Sequence, residues 1–461
     1  MMTIKNILIA GFLGCAMCAT TACQENEYGT VDLSGYIPEP EVKLVYNHPC
    51  ALYSSTDFER VRTAIANGTL NAAQQEEFDY LKQNRYVIGD YGVTAHTHPL
   101  IIRSSDNTEN NYTDAMKDAA AAYQFGLLWQ LTGNTEYAQK GVMILKAWVK
   151  DCTGLSGNNL ELAAGAQGFT FALAGEELRT WSGWSESEFT EFKNWMLNVF
   201  ASQNYKFLML HRESSCGTAK HYMSNWDLVN LCSYLQIGIL TEDDEMVKFV
   251  TNYFTKTGDG LGTLPNIQQH TFDFTLPDGT KEKVTQAQES GRDQAHATMA
   301  IVVAGHLAQA AWALYENNPT YADLDYFSSN DNALRRMAEY NALANLKTGT
   351  HADITTASGK GVQGGEWLYP LASIPFEAAG PWCPNTSHEA GKKQTAFGDK
   401  DRGELRPGYE IFYKHYKTDN YFIKKYAEVQ RPEHGSGDPR YTQNSGGFDQ
   451  IGWGTLMLYQ E

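Results

Sequence analysis

The chain has 461 residues and a formal net charge of −18, and hydrophobic residues make up 42% of it, including 26 Tyr, 20 Phe and 10 Trp. This apolar content is enough to build a core, so the chain is not intrinsically disordered. The acidic balance argues against a nucleic-acid partner, because affinity for nucleic acid comes mainly from clustered lysine and arginine. It does not exclude a polyanionic ligand, since a cleft can be locally basic.

The first 22 residues have the pattern of a secretory signal peptide. Lys5 precedes an apolar run at residues 7–18, which is too short for a comfortable membrane span. Small residues then lead to Cys23, as in bacterial lipoproteins, where this cysteine is the lipidated first residue of the mature chain. An ordinary signal peptide followed by a chance cysteine is the alternative interpretation.

After this segment, residues 23–49 are predicted to be a polar tether and residues 50–461 a single domain. Residues 24–27 (QENE) contain two glutamates and resemble the acidic export tag of Bacteroidetes surface lipoproteins. We therefore expect an exported outer-membrane lipoprotein that faces the periplasm or the cell surface, with the outer membrane as its partner through the lipid anchor.

The five cysteines that follow Cys23 indicate neither a disulfide framework nor a zinc site. Their number is odd and no two are arranged as a CxxC pair, so buried free thiols are expected. They are Cys50, Cys152, Cys216, Cys232 and Cys383.

The middle of the chain repeats a pattern of helical hairpins. Residues 113–132 have helical periodicity, with Thr113 as the expected N-cap and Gly133 as the stop, and residues 135–150 form a second helix. The turn between them is so short that the two helices must be antiparallel neighbours. Further pairs are predicted at 56–67 and 72–84, 159–181 and 185–202, 225–240 and 242–257, and 292–315 and 330–346.

Successive helical hairpins without a strong strand pattern fit either an α/α toroid or a helical solenoid. The chain has no fixed short repeat and its loops vary in length, which favours the toroid. We therefore predict an all-α fold, an incomplete barrel of antiparallel helical hairpins with long loops lining a central cleft. Residues 347–384 are predicted to be loops with short strands or helices.

One polar cluster, ESGRDQAH at residues 289–296, precedes an almost wholly apolar helix. Glu289 and Asp293 suit a helix start on dipole grounds, and a capped helix with one surface ion pair is the simplest interpretation. The helix dipole explains neither Arg292 nor His296. Arg292 is a cation and His296 can become one, and a positive charge is unfavourable at the N-terminus of a helix. Four residues apart on a helix, these two would share a face and meet an external anion.

A second cluster, KHYMSNWD at residues 220–227, opens another apolar helix. His221 and Asn225 are again four residues apart, although Asn225 could simply be an N-cap in competition with Ser224. In a toroid, helix ends line the mouth of the cleft. We expect both clusters to lie there.

Three further segments contain candidates with stronger structural alternatives. Trp367 and Tyr369 lie in a glycine-rich stretch and could form a sugar platform with a nearby phenol, or pack on the core. His98 belongs to an HxH pair, a weak metal signal that could instead line the cleft. Residues 402–416 contain Arg406, Tyr409 and His415, but Tyr409, Phe412 and Tyr416 have the spacing of a core helix face.

Several of these segments resemble motifs of the alginate lyase superfamily. The hairpin at 112–148 resembles its N-terminal hairpin, and the stretches at 224–227, 289–296 and 406–416 resemble later motifs. The resemblance covers about residues 50–459 and is closest to polysaccharide lyase family 38, which implies an α/α toroid that acts on uronic-acid polymers. Family 5 enzymes have Asn-Asn-His where this chain has SNWD, and a Tyr where it has His296.

The implied reaction is β-elimination, which removes the proton at C5 of a uronate and expels the glycosidic oxygen at C4. The carboxylate charge must be neutralised as the carbanion forms, a role for Asn225, Arg292 and His221. His296 is the expected base or a co-neutraliser, and Tyr369 the expected acid. Residues expected to bind the substrate are Trp226, Glu289, Trp367, Arg406, Tyr222, Tyr409 and His98, of which Tyr222 and Tyr409 compete with Tyr369 for the acid role.

The expected substrate is an acidic polysaccharide, alginate and its poly-mannuronate first, and the product an unsaturated oligosaccharide. A glycoside hydrolase on the same toroid is one alternative and would need two carboxyl groups, for which Asp227 and Glu289 are candidates. A non-catalytic surface glycan-binding lipoprotein is the other. No cofactor, no metal and no nucleic-acid partner are predicted, and a monomer is expected.

Overall fold

Helical hairpins follow one another along most of the chain. The first contains α1 (Ser55–Asn67) and α2 (Ala72–Gln83), and the short helix α3 (Arg85–Ile88) follows it. The chain from Leu44 onward belongs to one compact unit. The computed structural model describes residues 43–90, 94–106, 109–211, 223–349, 352–354, 361–378, 394–417, 421–438, 440 and 451–460.

Four longer hairpins build the body of the protein, and the predicted helices are found within a few residues of their expected bounds, except that the one predicted to end at residue 202 continues to Leu210. Two outer helices continue into π-helical turns, Met196–Ala201 and Tyr253–Thr257. The pairs are α4 (Tyr112–Thr132) with α5 (Thr135–Asp151), α6 (Leu160–Leu178) with α7 (Glu186–Trp195) and α8 (Ser202–Leu210), α9 (Ser224–Thr241) with α10 (Asp244–Asn252), and, after the short α11 (Leu264–Ile267), α12 (Gln294–Tyr315) with α13 (Ser329–Asn345).

Local signals set several of these helix ends. Gly133 ends α4 in the left-handed conformation, with φ of 68°, which glycine adopts without steric cost. Ser185 and Glu188 form the reciprocal capping box that the sequence predicts at the start of α7. The predicted N-cap Thr113 is wrong, because α4 begins one residue earlier and Asn111 occupies the cap position without a side-chain bond.

The first helices of the four hairpins, α4, α6, α9 and α12, form the inner layer and are buried along most of their length. Close contacts show that they run in the same direction. A Cβ on Gly165 of α6 would lie 2.6 Å from Val229 of α9, and one on Gly168 would lie 2.3 Å from Ser233. The numbers rise together on both helices, so the pair is parallel and in register.

The same direction continues on both sides of this pair. The Cys232 thiol of α9 contacts the Val303 carbonyl of α12 at 3.4 Å, eight or nine residues into each helix. At the α4 end, the short strands β1 (Leu100–Ile102) and β2 (Gly154–Ser156) pair in parallel just before α4 and α6. The starts of the inner helices therefore lie at one end of the protein.

Helix α13 runs back along α12. The Asn341 amide donates to Thr298 at 3.2 Å, and the Asn345 amide donates to Gln294 at 3.0 Å. The end of α13 consequently lies beside the start of α12. This alternation of inner and outer antiparallel helices is the predicted α/α toroid.

The apolar body of α12 is explained by its central position. By length and composition this helix could cross a membrane, but 94% of its most apolar stretch is buried inside the protein. It is a core helix surrounded by other helices. Its polar start is therefore the part of α12 with access to the end of the barrel.

The sequence shows no strong strand pattern in the middle of the chain, yet strands occur there in two places, the parallel pair β1 and β2 and a second pair. Strands β3 (Gln268–Thr275) and β4 (Lys281–Ala287) form an antiparallel hairpin that leads directly to the start of α12. Its turn contains Gly279 with φ of 86°. Alternating polar and aromatic residues in β3 were the missed signal.

The last third of the chain combines short strands and helices, as predicted for residues 347–384. It packs mainly on α12 and α13 and brings loops back to the start of α12. Its elements are β5 (Ala352–Ile354), β6 (Gly361–Gln363), α14 (Tyr409–His415), α15 (Phe422–Gln430) and α16 (Gly454–Met457).

We predict that Gly165→Ala destabilises the protein by about 1–3 kcal/mol, because the added methyl group would meet the backbone of Val229 at 2.9 Å. Urea unfolding measures the change. Gly154→Ala is the matched control, since its methyl group finds its nearest atom, on Leu100, at 3.5 Å. Equal stability of the two variants would contradict the close parallel packing of α6 and α9.

Candidate active site

The start of α9 and the start of α12 lie side by side and bring three predicted catalytic residues, Asn225, Arg292 and His296, to one place. The Ser224 backbone N–H donates to the Gln288 side chain at 3.1 Å, which ties α9 to the 3₁₀ turn before α12. The Asn225 amide reaches Met299, one turn beyond His296, at 3.8 Å.

Asp293 organises this cluster and was not predicted as a site residue. It is the N-cap of α12, and its Oδ1 accepts the backbone N–H of His296 at 2.8 Å. Its two carboxylate oxygens also lie 2.8 and 2.7 Å from Nδ1 of the His296 ring. One carboxylate therefore begins the helix and fixes the orientation of the imidazole.

The surroundings of Asp293 favour the ionised form of its carboxyl group. Burial alone would raise the pKa of this carboxyl, but the hydrogen bonds and charge of His296, together with the charge of Arg292, lower it to about 2. Asp293 is therefore ionised at neutral pH. The His296 side chain is 36% exposed, and since Asp293 holds Nδ1, Nε2 is the ring nitrogen that faces outward.

Arg292 lies outside α12, which corrects the expectation that it shares a helix face with His296. The helix begins at Gln294 because Asp293 is extended, with φ of −166°. The two residues still meet, since Nε of Arg292 lies 3.8 Å from the Asp293 carboxylate that holds His296. Nη1 of Arg292 also contacts the Met223 sulfur at 2.7 Å, at the start of α9.

Glu289 is buried and contacts the guanidinium of Arg292. Its carboxylate lies 3.6 Å from Nη1 of Arg292, and its side chain is only 1% exposed. Burial raises the pKa of Glu289, against the opposing charge of Arg292. From this position Glu289 can orient Arg292, and its predicted contact with substrate stays a prediction.

The segment from Gln394 to Lys400 holds the start of α12 in place. Its residues were also not predicted to belong to the site. The Gln394 side chain accepts the Gly291 backbone N–H at 2.8 Å, and the Lys400 carbonyl accepts that of Gln294 at 2.9 Å. Gly398 approaches so closely that a Cβ would lie 2.6 Å from the Arg292 carbonyl. Only glycine fits there, so the backbone of Arg292 is fixed from outside the helix.

Asn225 is not a helix cap. Met223 occupies the cap position, and Asn225 lies inside the helix with 2% exposure. Its amide reaches only the weakly accepting Met299 sulfur, and its Oδ1 finds no partner among the described residues. Buried polar groups are normally hydrogen-bonded, so the missing partner of this amide calls for an explanation, and a catalytic role is one.

The aromatic candidates of residues 361–370 lie apart from this cluster. Tyr369 packs against Phe274 and Phe422, with ring centroids 5.2 and 5.6 Å away, and burial raises its pKa. Trp367 lies against the Arg402 guanidinium at 3.9 Å. Within the described structure, none of the hydrogen bonds, ion pairs or ring contacts of Trp367 and Tyr369 reaches Asn225, Arg292 or His296.

Four other candidates lie in the core. Tyr409 is fully buried and donates to Asn341 at 2.7 Å, as its helical spacing suggested. Arg406 is 2% exposed, and Trp226 packs against Phe207 at 5.9 Å. His415 stacks on an aromatic ring at 3.7 Å. The predicted contacts of Tyr409, Arg406 and Trp226 with substrate stay predictions.

The remaining candidates divide between the helix starts and the undescribed parts of the chain. His98 is half-exposed beside the start of α4, where it binds Asp114 at 2.9 Å. His221, Tyr222 and Cys23 lie outside the described residues. Of the cysteines, Cys50, Cys152 and Cys232 are buried with free thiols, as expected, and Cys216 and Cys383 also lie outside the described residues.

A separate group near the end of α6 has metal-ligand chemistry. Ligand atoms of His48, Cys50 and Glu176 all lie within 4.8 Å of one another. The Arg179 guanidinium lies 2.9 Å from Nδ1 of His48 and 3.0 Å from Glu176, so a cation already neutralises the group. We interpret it as an ion-pair network that holds the N-terminal segment on α6.

A solved structure of an alginate lyase shares this fold. Alginate lyase A1-III from Sphingomonas species A1 is similar with 15% identity, 90% of this chain and 100% of that chain covered, and a TM-score of 0.50. An alginate lyase from Bacteroides ovatus gives 12% identity, 65% and 83% coverage and a TM-score of 0.42. A variant of alginate lyase A1-III complexed with tetrasaccharide has 17% sequence identity to this chain. The match covers 67% of this chain and 78% of that chain, with a TM-score of 0.42. No curated protein matches the chain in sequence.

The family that matches by sequence is the alginate lyase family, whose model covers residues 62–348. The match is longer than half of the chain. It runs from α1 to the end of α13, so it includes Asn225, Arg292 and His296 with the elements that position them. The chain therefore belongs to the alginate lyase family and is a polysaccharide lyase.

Proposed function

We propose that this lyase cleaves a polyuronate, alginate and its poly-mannuronate first, by β-elimination at the joined starts of α9 and α12. The observation that carries the proposal is the meeting of an amide, a guanidinium and an oriented imidazole at this point, on Asn225, Arg292 and His296. The products are unsaturated oligosaccharides.

The first requirement of the reaction is to neutralise the uronate carboxylate. The C5 proton becomes acidic enough only if the charge that flows into the carboxylate is stabilised by fixed donors. Arg292 supplies a guanidinium, and Asn225 supplies an amide that has no strong partner among the described residues. The positive ends of the α9 and α12 dipoles add a favourable field at the same place.

The second requirement is a base. Because Nδ1 of His296 donates to the Asp293 carboxylate, Nε2 of the neutral ring carries the lone pair and faces outward. This is the arrangement in which a carboxylate fixes the tautomer of a basic histidine. We therefore assign proton abstraction to His296 and its orientation to Asp293.

The third requirement is an acid for the leaving oxygen. Tyr369 stays the predicted acid, with Tyr222 as its competitor. The phenol of Tyr369 is buried among aromatic rings, so it would have to be uncovered to reach a substrate at His296. Tyr222, three residues before Asn225 in the sequence, lies outside the described residues and stays a competing prediction, as does Tyr409.

The hydrolase alternative has less support from the geometry. Two carboxyl groups must flank the bond that is cleaved. Asp227 is fully buried, contacts His211 at 2.8 Å and accepts the Gly262 backbone N–H at 2.9 Å. Glu289 is buried beneath Arg292. Elimination needs neither carboxyl at the surface.

A panel of polyuronates tests the function. We expect ultraviolet absorbance from the new C4–C5 double bond with poly-mannuronate, and His296→Ala should lower kcat by about 10²–10⁴-fold because the base is lost. His270→Ala is the matched control, since His270 is also half-exposed and paired with a carboxylate, Glu377 at 3.1 Å.

Three outcomes of the panel would count against the proposal. No unsaturated product with any polyuronate would reject it. Saturated products would indicate hydrolysis, and binding without turnover would indicate a glycan-binding protein. Full activity of His296→Ala would leave the lyase in place but reject His296 as its base.

Asp293→Asn tests the orienting role. The asparagine keeps an acceptor for the helix cap but loses the charge that holds the imidazole, so we expect kcat/KM to fall about 10–100-fold with the fold retained. Because the folded pKa of Asp293 is lowered from 3.8 to about 2, its carboxylate stabilises the fold above pH 3.8 and this contribution is lost as the pH falls through about 2.

Asp293→Asn should therefore lose less stability than the wild type as the pH falls from 3.8 to about 2. Acid unfolding monitored by circular dichroism measures this difference. Asp293→Ala separates the two roles, since it also removes the cap, at a cost of about 1 kcal/mol. Unchanged kcat/KM in Asp293→Asn would remove Asp293 from the site.

We also propose that the chain is an exported lipoprotein anchored through Cys23, as the signal pattern suggests. Cys23→Ala should move the protein from the membrane fraction to the soluble fraction of the cells that express it, while lyase activity stays the same. A wild-type protein that is already in the soluble fraction would reject the anchor.

A further inference from the structure

We propose that Asn345, the last residue of α13, is a positioning residue for Arg292 and acts through the side chain of Gln294 and the backbone of Gly398. This inference rests on the proposed function, because it gives Asn345 a share in holding the guanidinium that neutralises the uronate. Asn345 is not a catalytic residue, since its side chain is fully buried.

The side chain of Asn345 joins three segments of the chain. Its amide nitrogen donates to the Gln294 side chain at 3.0 Å and to the Asn341 carbonyl at 2.8 Å. Its oxygen accepts the Gly403 backbone N–H at 3.0 Å. One buried amide therefore connects the end of α13, the start of α12 and the loop that follows Gly398.

Gln294 extends this connection to the backbone that holds Arg292. Because Asn345 donates to it, the oxygen of the Gln294 amide faces Asn345, and the nitrogen faces the other way. That nitrogen donates to the Gly398 carbonyl at 2.9 Å. The Gly398 backbone N–H donates to the Ser290 carbonyl at 3.1 Å, and a Cβ on Gly398 would lie 2.6 Å from the Arg292 carbonyl. The orientation of one amide thus decides whether Gly398 can lie against Arg292.

A third amide, on Gln363 of β6, holds Asn345 from the other side. The last carbonyl groups of a helix have no partner within it. Gln363 supplies one for α13, because its amide nitrogen donates to the Asn345 carbonyl at 2.7 Å. The Gln363 oxygen accepts the Lys347 backbone N–H at 3.0 Å, which fixes the orientation of this amide as well.

The three amides of Gln294, Asn345 and Gln363 form a fully bonded chain. Their exposed fractions are 1%, 0% and 1%, and each side-chain nitrogen and oxygen has a partner. This distinguishes them from Asn225, whose Oδ1 has no partner among the described residues. A buried polar chain is stable only while all of its bonds are made, so the loss of one amide releases its neighbours.

The reaction requires Arg292 to be held accurately. A donor stabilises developing charge only if it is already in place, and a displacement of about 1 Å can cost about 10²-fold in rate. The N–H of Gln294, next but one after Arg292, donates to the Lys400 carbonyl at 2.9 Å, and Gly398 lies against the Arg292 carbonyl. Both contacts belong to the segment that the Asn345 side chain fixes at Gly403 and, through Gln294, at Gly398.

Asn341, one turn earlier on α13, provides a matched control. Its side chain is 3% exposed, donates to Thr298 at 3.2 Å and accepts from Tyr409 at 2.7 Å. Both partners lie in helices, on α12 and α14, and neither belongs to the loop at Gly398. Replacing Asn341 by alanine therefore carries the structural cost of losing a buried amide without loosening that loop.

We expect Asn345→Ala to lower kcat about 10–100-fold with KM within about threefold of the wild type, because Arg292 is displaced where charge develops. Asn341→Ala should lower Tm by a similar amount but leave kcat within about twofold. Gln294→Met breaks the same connection from the α12 side and should reproduce the kinetics of Asn345→Ala, even if one of the two variants folds poorly.

A double-mutant cycle tests whether Asn345 acts through Arg292. In the Arg292→Ala background, Asn345→Ala should change kcat less than about twofold, since the group that it positions is gone. Independent, multiplicative effects of the two substitutions would overturn the inference. An equal fall of kcat in Asn345→Ala and Asn341→Ala would also overturn it and indicate a general structural role.

Hydrogen exchange decides the positioning role without turnover. The backbone N–H groups of Gly291, Gln294 and Gly398 are all bonded across the contact between the start of α12 and residues 394–400. We expect their exchange to be about 10-fold faster in Asn345→Ala and unchanged in Asn341→Ala. Unchanged exchange in Asn345→Ala would overturn the inference. Failure of the proposed function is distinct, because then the wild-type protein itself releases no unsaturated product from any polyuronate.

Discussion

The close parallel packing of the inner helices is the constraint on which the site depends. Glycines at positions 165 and 168 let α6 approach the backbone of α9 more closely than any side chain would allow. Because the inner helices run in one direction, their starts share one end of the barrel. Polar residues far apart in sequence thus meet there, while the apolar bodies of the same helices fill the core.

At that end, the Asp293 carboxylate has both a structural role and a role in the proposed reaction. Asp293 caps α12 and holds the ring of His296, and it lies close enough to Arg292 to keep the guanidinium beside the imidazole. An isolated histidine at a helix start would be a weakly oriented base and an unfavourable charge. With Asp293 the ring has a defined tautomer, which supports its proposed role as a base, and Glu289 balances the neighbouring guanidinium.

The sequence predicted the helices well, because period and capping signals are local, as Ser185 and Glu188 show. It also predicted that Asn225, Arg292 and His296 meet. The sequence did not predict features of the site that depend on contacts between residues far apart in the chain. The extended conformation of Asp293 puts Arg292 outside the helix, and no local pattern announces that Gln394 clamps Gly291, about one hundred residues earlier. The packing of Tyr369 on Phe274 is equally non-local.

The clamp formed by Gln394, Gly398 and Lys400 also sets when the site can form during synthesis. The hairpins from α4 to α13 leave the ribosome first and can pack as they appear, since each contacts its neighbour in sequence. The backbone around Arg292 reaches its final position only after the segment near Gly398 has been made and folded back. A nascent chain that stops before this point would have most of its barrel but a loose catalytic end.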